Sequence, residues 1–307
     1  LAYSERKDLI LITGSSGFVG TNVTEYFISR NEEVVGLDLA TPQKDFDENL
    51  FTFHKCDLTS RDALGNAFKK FKPKYVIHFA FVTYRESLYQ EFLKDAQITL
   101  NMLENASKTG VERFILMSSS TVYGLRTEDQ PVKEGEKLNP KGVYGKAKLA
   151  AELMARQYFE SQNLPIVIVR GFEIYGPHLT TPSIVKRLLE RAVQKELLQI
   201  YCFGRQKTDF TYAEDLARGM EILLNERKAI GDVFNAGFGK PHTYEDLGNM
   251  IERLIPCKVE LLPPRANEKP FFLYTDAQKL KSLGYKPKYD LEAGMKKTVD
   301  WMLAKHG

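Results

Sequence analysis

Leu9-Ile10-Leu11-Ile12-Thr13-Gly14-Ser15-Ser16-Gly17-Phe18-Val19-Gly20 is the stretch that decides the architecture of this chain. Its first part is a short apolar run, suited to a parallel strand buried on both faces. A glycine turn comes next, and a helical pattern continues through Phe27 and Ile28. Strand, glycine turn and helix in that order form the context of a dinucleotide site. Gly14 permits the tight turn, Gly17 lets backbone approach a pyrophosphate, and Gly20 allows close packing of helix on strand. The free N–H groups of the helix N-terminus then face the phosphates. The spacing is G-x-x-G-x-x-G, a variant of the commoner G-x-G-x-x-G.

A second strand pattern, Glu33 to Leu37, ends at Asp38, eighteen residues after Gly20. An acid near that place grips the adenosine ribose. It repels a ribose phosphate, and no arginine follows closely, so NAD is expected rather than NADP. An ordinary strand-turn-helix would explain the glycines but not the acid.

Strand and helix patterns go on alternating. Residues 51–55, 75–79, 114–117 and 166–169 read as strands, and 61–70, 88–109 and 142–162 as helices. Asn139 and Pro140 are the expected cap and first position of the last helix. The alternation predicts an α/β fold, a Rossmann-type doubly wound parallel sheet with helices on both faces. After Arg170 prolines break the pattern, and shorter helices at 183–195 and 291–304 mix with brief strands. These predict a smaller α/β C-terminal substrate domain. The expected division is 1–170 for the NAD-binding domain, with 211–237 returning to it, and 171–210 plus 238–307 for the substrate-binding region.

With 307 residues, 43% of them hydrophobic, the chain can bury a large core. A net charge of only +3 argues against nucleic acid as a partner. Cys56, Cys202 and Cys257 stand far apart in no redox or metal spacing, and five scattered histidines add no zinc pattern. No metal is expected, and a reducing, cytoplasmic setting fits. No apolar run approaches the ~18 residues that span a bilayer, so no membrane partner is expected. The chain starts at Leu1, so trimming at the start is expected.

Tyr144 and Lys148 carry the chemistry. Four residues apart on a helix, they share a face. An ammonium near a phenol stabilises the phenolate and lowers its pKa from about 10. Such a tyrosine can exchange a proton with an alcohol or ketone at neutral pH, which is half of a hydride transfer. The alternative, a solvated helical pair with no role, leaves the nearby cofactor loop as a coincidence.

From about Leu9 to Trp301 the chain resembles the extended short-chain dehydrogenase/reductase family, in its nucleotide-sugar epimerase and dehydratase branch. The likeness rests on the glycine loop, Cys56-Asp57-Leu58, His78-Phe79-Ala80, Ser118 to Gly124, Tyr144 to Lys148 with Glu152, Arg170 to His178, Asp209 to Tyr212 and Arg265 to Glu268. It implies that Gly14, Gly17, Phe18, Val19, Gly20, Asp38, Asp57, Leu58, Phe79, Ala80, Ser118, Tyr144 and Lys148 bind NAD. It implies that Ser119, Tyr144 and Lys148 are catalytic, and that Ser119, Ser120, Thr121, Tyr144, Glu173 and Arg265 bind substrate. Lys148 would hold the nicotinamide ribose and tune Tyr144. Ser119 would bond the reacting sugar oxygen. Tyr144 would remove the hydroxyl proton while hydride passes to NAD, giving a bound keto-sugar that is reduced again on its other face. A homodimer through the two long helices is implied too, with Leu103, Leu149 and Leu153 as its apolar positions or as ordinary core.

Dehydratases of the branch place an Asp-Glu pair after the catalytic hydroxyl, and decarboxylases a glutamate at the second position. Ser120 and Thr121 stand there instead, as in 4-epimerases, and neither does acid–base work near pH 7. Two alternatives share the same residues: a ketoreductase of a keto-sugar or other carbonyl compound, and a non-catalytic nicotinamide sensor. The chain departs from the pattern at Glu173 and Asp95, each in place of an asparagine. It departs also at Thr208 for an arginine, at Cys202-Phe203-Gly204 for Gly-Asp-Gly, and by one residue fewer between His78 and Ser87. Arg205 or Lys207 is expected to replace the missing charge.

Overall fold

The structure, a computed structural model, describes residues 8–82 and 88–306. The shortening expected between His78 and Ser87 falls mainly on 83–87, outside the described residues. Seven strands form the main sheet: β1 (Ile10–Thr13), β2 (Val34–Asp38), β3 (Phe51–Lys55), β4 (Tyr75–His78), β5 (Arg113–Ser119), β6 (Ile166–Gly171) and β7 (Val233–Ala236). Their order is β7-β6-β5-β4-β1-β2-β3. Within it β3, β2, β1, β4 and β5 pair in parallel, Leu11 lying opposite Val35 on one side and Val76 on the other. Order 3-2-1-4-5-6 is that of a doubly wound dinucleotide fold, and its direction reverses between β1 and β4.

Helices α1 (Phe18–Ser29), α2 (Arg61–Phe71), α3 (Leu88–Thr109) and α4 (Val143–Gln162) alternate with these strands. Leu11, Val35, Val76, Phe114 and Ile166 form one core with Leu64 and Phe68 of α2, Met102 and Leu103 of α3, and Ala151 and Ala155 of α4. Ile10 and Ile12 point the other way and are equally buried, so both faces of β1 are covered. That explains the unbroken apolar run. Each such side chain contributes about 1.5–3 kcal/mol on burial.

Helix ends follow local chemistry with one correction. Ser60 caps α2, its hydroxyl accepting from Ala63 N, and Lys72 ends it in a left-handed conformation. The cap of α4 is Gly142, with no side-chain hydrogen bond. Asn139 is not that cap: it lies three residues before Gly142, and its N–H donates to Val122 O at 2.9 Å. The bond ties Asn139 to the turn after β5, and Pro140 lies ahead of the helix with it.

The chain divides into two compact units. One comprises residues 1–118, 142–169 and 220–233, the other 119–141, 170–219 and 234–307. Within the second, residues 198–200 pair with 259–261, and 207–208 with 242–243 and 272–273. Helix α5 (Ile184–Val193) starts at a Ser183 cap. Helix α6 (Tyr244–Leu254) starts with a reciprocal Thr243/Asp246 capping box. Two buried acids fasten loops here: Asp209 accepts from Phe238 N and Gly239 N, and Asp215 from Lys288 N and Tyr289 N.

Candidate active site

At the reversal of strand order, the turn after β1 meets the end of β4. Gly14 has φ +67°, and a Cβ on it would lie 2.9 Å from Ala80 N. A Cβ on Gly20 would fall 2.0 Å from Gly14 O. Only glycine fits either place. Gly17 is different: it is exposed, and apart from Gly14 O at 3.3 Å nothing crowds its Cβ position. It is also the N-cap of α1, with no side-chain hydrogen bond. An open, uncapped helix N-terminus with positive dipole is what a pyrophosphate requires. Asp38, at the end of β2, accepts from Ser16 N at 3.0 Å and from Ala40 N at 3.1 Å, which fixes its carboxylate beside the loop. These residues fit a dinucleotide.

Phe18 and Leu58 are buried, their carbonyl oxygens accepting from Asn22 Nδ2 at 2.8 Å and Asn101 Nδ2 at 2.9 Å, while Val19 is half-buried. Asp57 accepts from Thr59 N and Thr59 Oγ1, closing a small turn after β3. Phe79 and Ala80 are half-buried, and their N–H groups donate to Thr13 O and Thr13 Oγ1.

In the same unit Lys148 is buried, and its Nζ donates to Met117 O at 3.0 Å. The ammonium lies 4.3 Å from the centroid of the Phe81 ring and 5.9 Å from that of Tyr144. Phe81 meets Tyr144 edge to face at 4.8 Å. Tyr144 is 40% exposed, so its ring is open to a ligand while its lysine is not. Burial pulls the Lys148 pKa down to about 8, against the opposing pull of Asp95 and Glu152. Asp95, itself buried, accepts from Val82 N at 2.7 Å. Ser118 Oγ donates to Glu152 Oε1 at 2.5 Å. His78 shares a 2.6 Å hydrogen bond with Thr13, and burial, then Lys148, depresses its pKa to about 3, so it is neutral. Phe81 escaped the sequence reading. An aromatic directly after Ala80 was the only signal.

In the second unit Ser119 is buried and caps the 3₁₀ turn Ser120–Tyr123. Its Oγ accepts from Thr121 N at 3.2 Å and from Thr121 Oγ1 at 3.0 Å. Ser120 is buried and Thr121 exposed. A buried brace holds the end of this turn. Arg170 Nη1 donates to Tyr123 OH at 2.8 Å, which donates to Asn235 Oδ1 at 2.7 Å.

A cavity of about 490 Å³ opens elsewhere in this unit, lined by Lys186, Arg187, Tyr201, Gln206, Tyr244 and Arg265 among others. Arg265 stacks on Tyr201, 3.8 Å from the ring centroid. Neither Arg205 nor Lys207 supplies this cavity with charge: Lys207 Nζ pairs with Asp129 at 2.5 Å, and Arg205 lies against Phe203. Lys186, paired with Glu190 at 2.6 Å, and Arg187 line it instead, together with Glu190 and Glu268. Lys186 and Arg187 come from a helix with no recognisable motif. Thr208 is buried, its hydroxyl donating to Leu273 O at 3.0 Å. Glu173 does not line the cavity. It is half-buried, yet its Oε1 is sealed without a hydrogen-bond partner, and burial pushes its pKa up to about 7.

A doubly wound sheet, a glycine loop at its reversal and a Tyr-x-x-x-Lys helix define a nicotinamide-dependent enzyme class. The sequence model of the NAD dependent epimerase/dehydratase family matches residues 10–237. The chain belongs to that family, whose members are enzymes that work with NAD. It is 31% identical over 314 residues to a UDP-glucuronate 4-epimerase of Thermodesulfobacterium geofontis, covering 95% of each chain. It is 31% identical over 320 residues to a trifunctional UDP-glucose 4,6-dehydratase/UDP-4-keto-6-deoxy-D-glucose 3,5-epimerase/UDP-4-keto-L-rhamnose-reductase of Arabidopsis thaliana, covering 95% of this chain but only 46% of that protein. The fold matches the UDP-glucuronic acid 4-epimerase of Bacillus cereus in complex with UDP-glucuronic acid and NAD. That match has a TM-score of 0.85 at 26% identity and covers 97% and 99% of the two chains.

Proposed function

We propose that this chain is an NAD-dependent nucleotide-sugar epimerase acting at C4. The observation that carries this reading is the set of side chains after β5. Ser119 is followed by Ser120 and Thr121, hydroxyls where an elimination would need a carboxyl pair. The full-length similarity to a UDP-glucuronate 4-epimerase supports it.

When bound, NAD supplies the hydride acceptor, which returns the hydride in the second half of the reaction. Gly14, Gly17 and Gly20 cradle it, and Asp38 takes the adenosine ribose. Tyr144 withdraws the proton of the sugar hydroxyl and gives it back to the epimer. Lys148, held by Met117 O, keeps positive charge beside the phenolate. Ser119 hydrogen-bonds the sugar oxygen. The first unit serves the cofactor and the second the nucleotide sugar, whose phosphates suit Lys186, Arg187 and Arg265. The chain works as a homodimer in the cytoplasm. Leu93 and Leu100 of α3 and Leu153 of α4 are exposed and offer the apolar face, whereas Leu103 is core. All three cysteines are free, as a reducing compartment requires. Among the described residues no helix is long and apolar enough to cross a membrane.

Mass spectrometry of the ligand released from freshly purified protein tests this, followed by incubation with UDP-glucose, UDP-glucuronate and related sugars without added cofactor. Co-purified NAD and interconversion of one C4 pair are expected. Turnover only on supplied NAD(P)H, which is consumed, would make the chain a ketoreductase.

A further inference from the structure

The ring of Phe81 meets both Tyr144 and Lys148. The Lys148 ammonium lies over its face, 4.3 Å from the centroid, and the Tyr144 ring packs against it at 4.8 Å with the two planes 83° apart. Lys148 Nζ stands 5.9 Å from the Tyr144 ring, so the three groups close a triangle inside the first unit. The backbone that carries Phe81 is pinned on each side. Ala80 N donates to Thr13 Oγ1 at 3.2 Å, and Val82 N donates to Asp95 Oδ1 at 2.7 Å. The ring therefore reaches α4 from a fixed base at the end of β4.

Lys148 needs such a neighbour. A buried cation is costly unless other groups compensate it. Its ammonium carries three donors on a flexible stem, and Met117 O takes one of them. Asp95 of α3 and Glu152 of α4 both favour its charge, His78 of β4 is neutral, and Tyr144 lies one turn away on α4. Each of the two carboxylates is fastened by another donor, Asp95 by Val82 N and Glu152 by Ser118 Oγ. An aromatic face carries negative potential and attracts a desolvated cation without asking for a hydrogen-bond direction.

We propose that Phe81 is a positioning residue whose ring face holds the Lys148 ammonium, buried and charged, at a set distance from Tyr144. An aliphatic side chain of similar bulk fills the same space but leaves the cation without that attraction. Phe81 thus acts through Lys148 and takes no proton itself. Its consequence for turnover rests on the reading of Tyr144 as the group that exchanges the substrate proton. Its hold on the cation does not.

Nuclear magnetic resonance of the full-length protein, with its lysines isotopically labelled at Cε, tests this. The Lys148 signal is the one that Lys148→Met deletes, and in the wild type it is expected to titrate at about 8. Phe81→Leu is expected to lower that midpoint by about one pH unit, and Phe81→Tyr, which keeps the ring, to leave it in place. A ring that only fills space predicts the opposite sign, because its loss admits water and a better-solvated ammonium titrates higher. Fluorinated phenylalanine at position 81 serves where Phe81→Leu does not fold: it keeps the ring while draining its face, and the midpoint is expected to fall with each added fluorine. A midpoint that stays or rises in Phe81→Leu, or that ignores fluorination, overturns the proposal. In active enzyme the alkaline fall of kcat is expected to move down with the midpoint. Wild type that turns over no sugar overturns the functional reading alone, since the titration still decides whether the ring holds the cation.

Discussion

The Lys148 ammonium donates to the carbonyl oxygen of Met117 at 3.0 Å, which anchors the charge on α4 to the strand that leads into Ser118 and Ser119. The lysine is thus placed by β5, by the Phe81 ring and by its own helix. Its burial has a thermodynamic consequence. A cation whose folded pKa is lowered binds its proton more weakly than in the unfolded chain. Stability of the wild type therefore rises with pH between about 8 and the unfolded lysine value.

Lys148→Met should abolish turnover and yet stabilise the fold at pH 7 by about 1–3 kcal/mol, since it removes a buried charge. Thermal unfolding at pH 7 and pH 10 checks this. The advantage should shrink at the higher pH. A variant less stable than wild type at pH 7 would contradict it.

Asp95 and Glu152 both hold the Lys148 pKa up. Asp95→Asn should therefore shift the alkaline fall of kcat to lower pH than in the wild type. A kcat–pH profile measures this, and an unmoved limb would show that Asp95 acts on something else.

Glu173 titrates upward, to about 7, through burial. A carboxyl whose folded pKa is raised contributes a penalty that grows as pH climbs from the unfolded value through the folded one. Glu173→Gln should thus stabilise the protein by about 1–3 kcal/mol at pH 8 and by little at pH 4. Denaturant unfolding at the two pH values decides. Equal effects at both would rule out titration as the cause.

Tyr123 stands between Arg170 and Asn235. Tyr123→Phe keeps the ring and removes both bonds, one of them to a buried guanidinium. A loss of about 2–3 kcal/mol is expected. Urea unfolding measures it, and a change under 0.5 kcal/mol would mean that the brace is slack.

Gly20→Ala should abolish NAD retention, because its Cβ meets Gly14 O at 2.0 Å and must deform the loop. Gly65→Ala is the control. Its Cβ meets only Asn105 Oδ1, at 3.5 Å, and α2 should gain about 0.5–1 kcal/mol from the substitution. Retained NAD in the first variant, read by absorbance after purification, would separate the glycine spacing from cofactor binding.

Much of the first unit was legible because its signals are local. The apolar run before Gly14 became β1, Asp38 ended β2, and Tyr144 and Lys148 share α4. Other expectations failed where contacts distant in sequence entered. Asn139 and Pro140 read as a helix start, but α4 begins later, at a Gly142 cap, and Asn139 N bonds to Val122 O in the turn after β5. Lys207 read as spare charge until Asp129 claimed it.

The sequence by itself determined the fold, the glycine loop at the end of β1 and the sharing of one helix by Tyr144 and Lys148, because glycine sterics, apolar periodicity and helix spacing act within a few residues. Only the tertiary structure decided that Lys148 is buried against Phe81, that Glu173 is sealed without a donor, and that Lys186, Arg187 and Arg265 share one cavity. Those facts depend on desolvation and on contacts between residues far apart in the chain, and no short-range pattern encodes either.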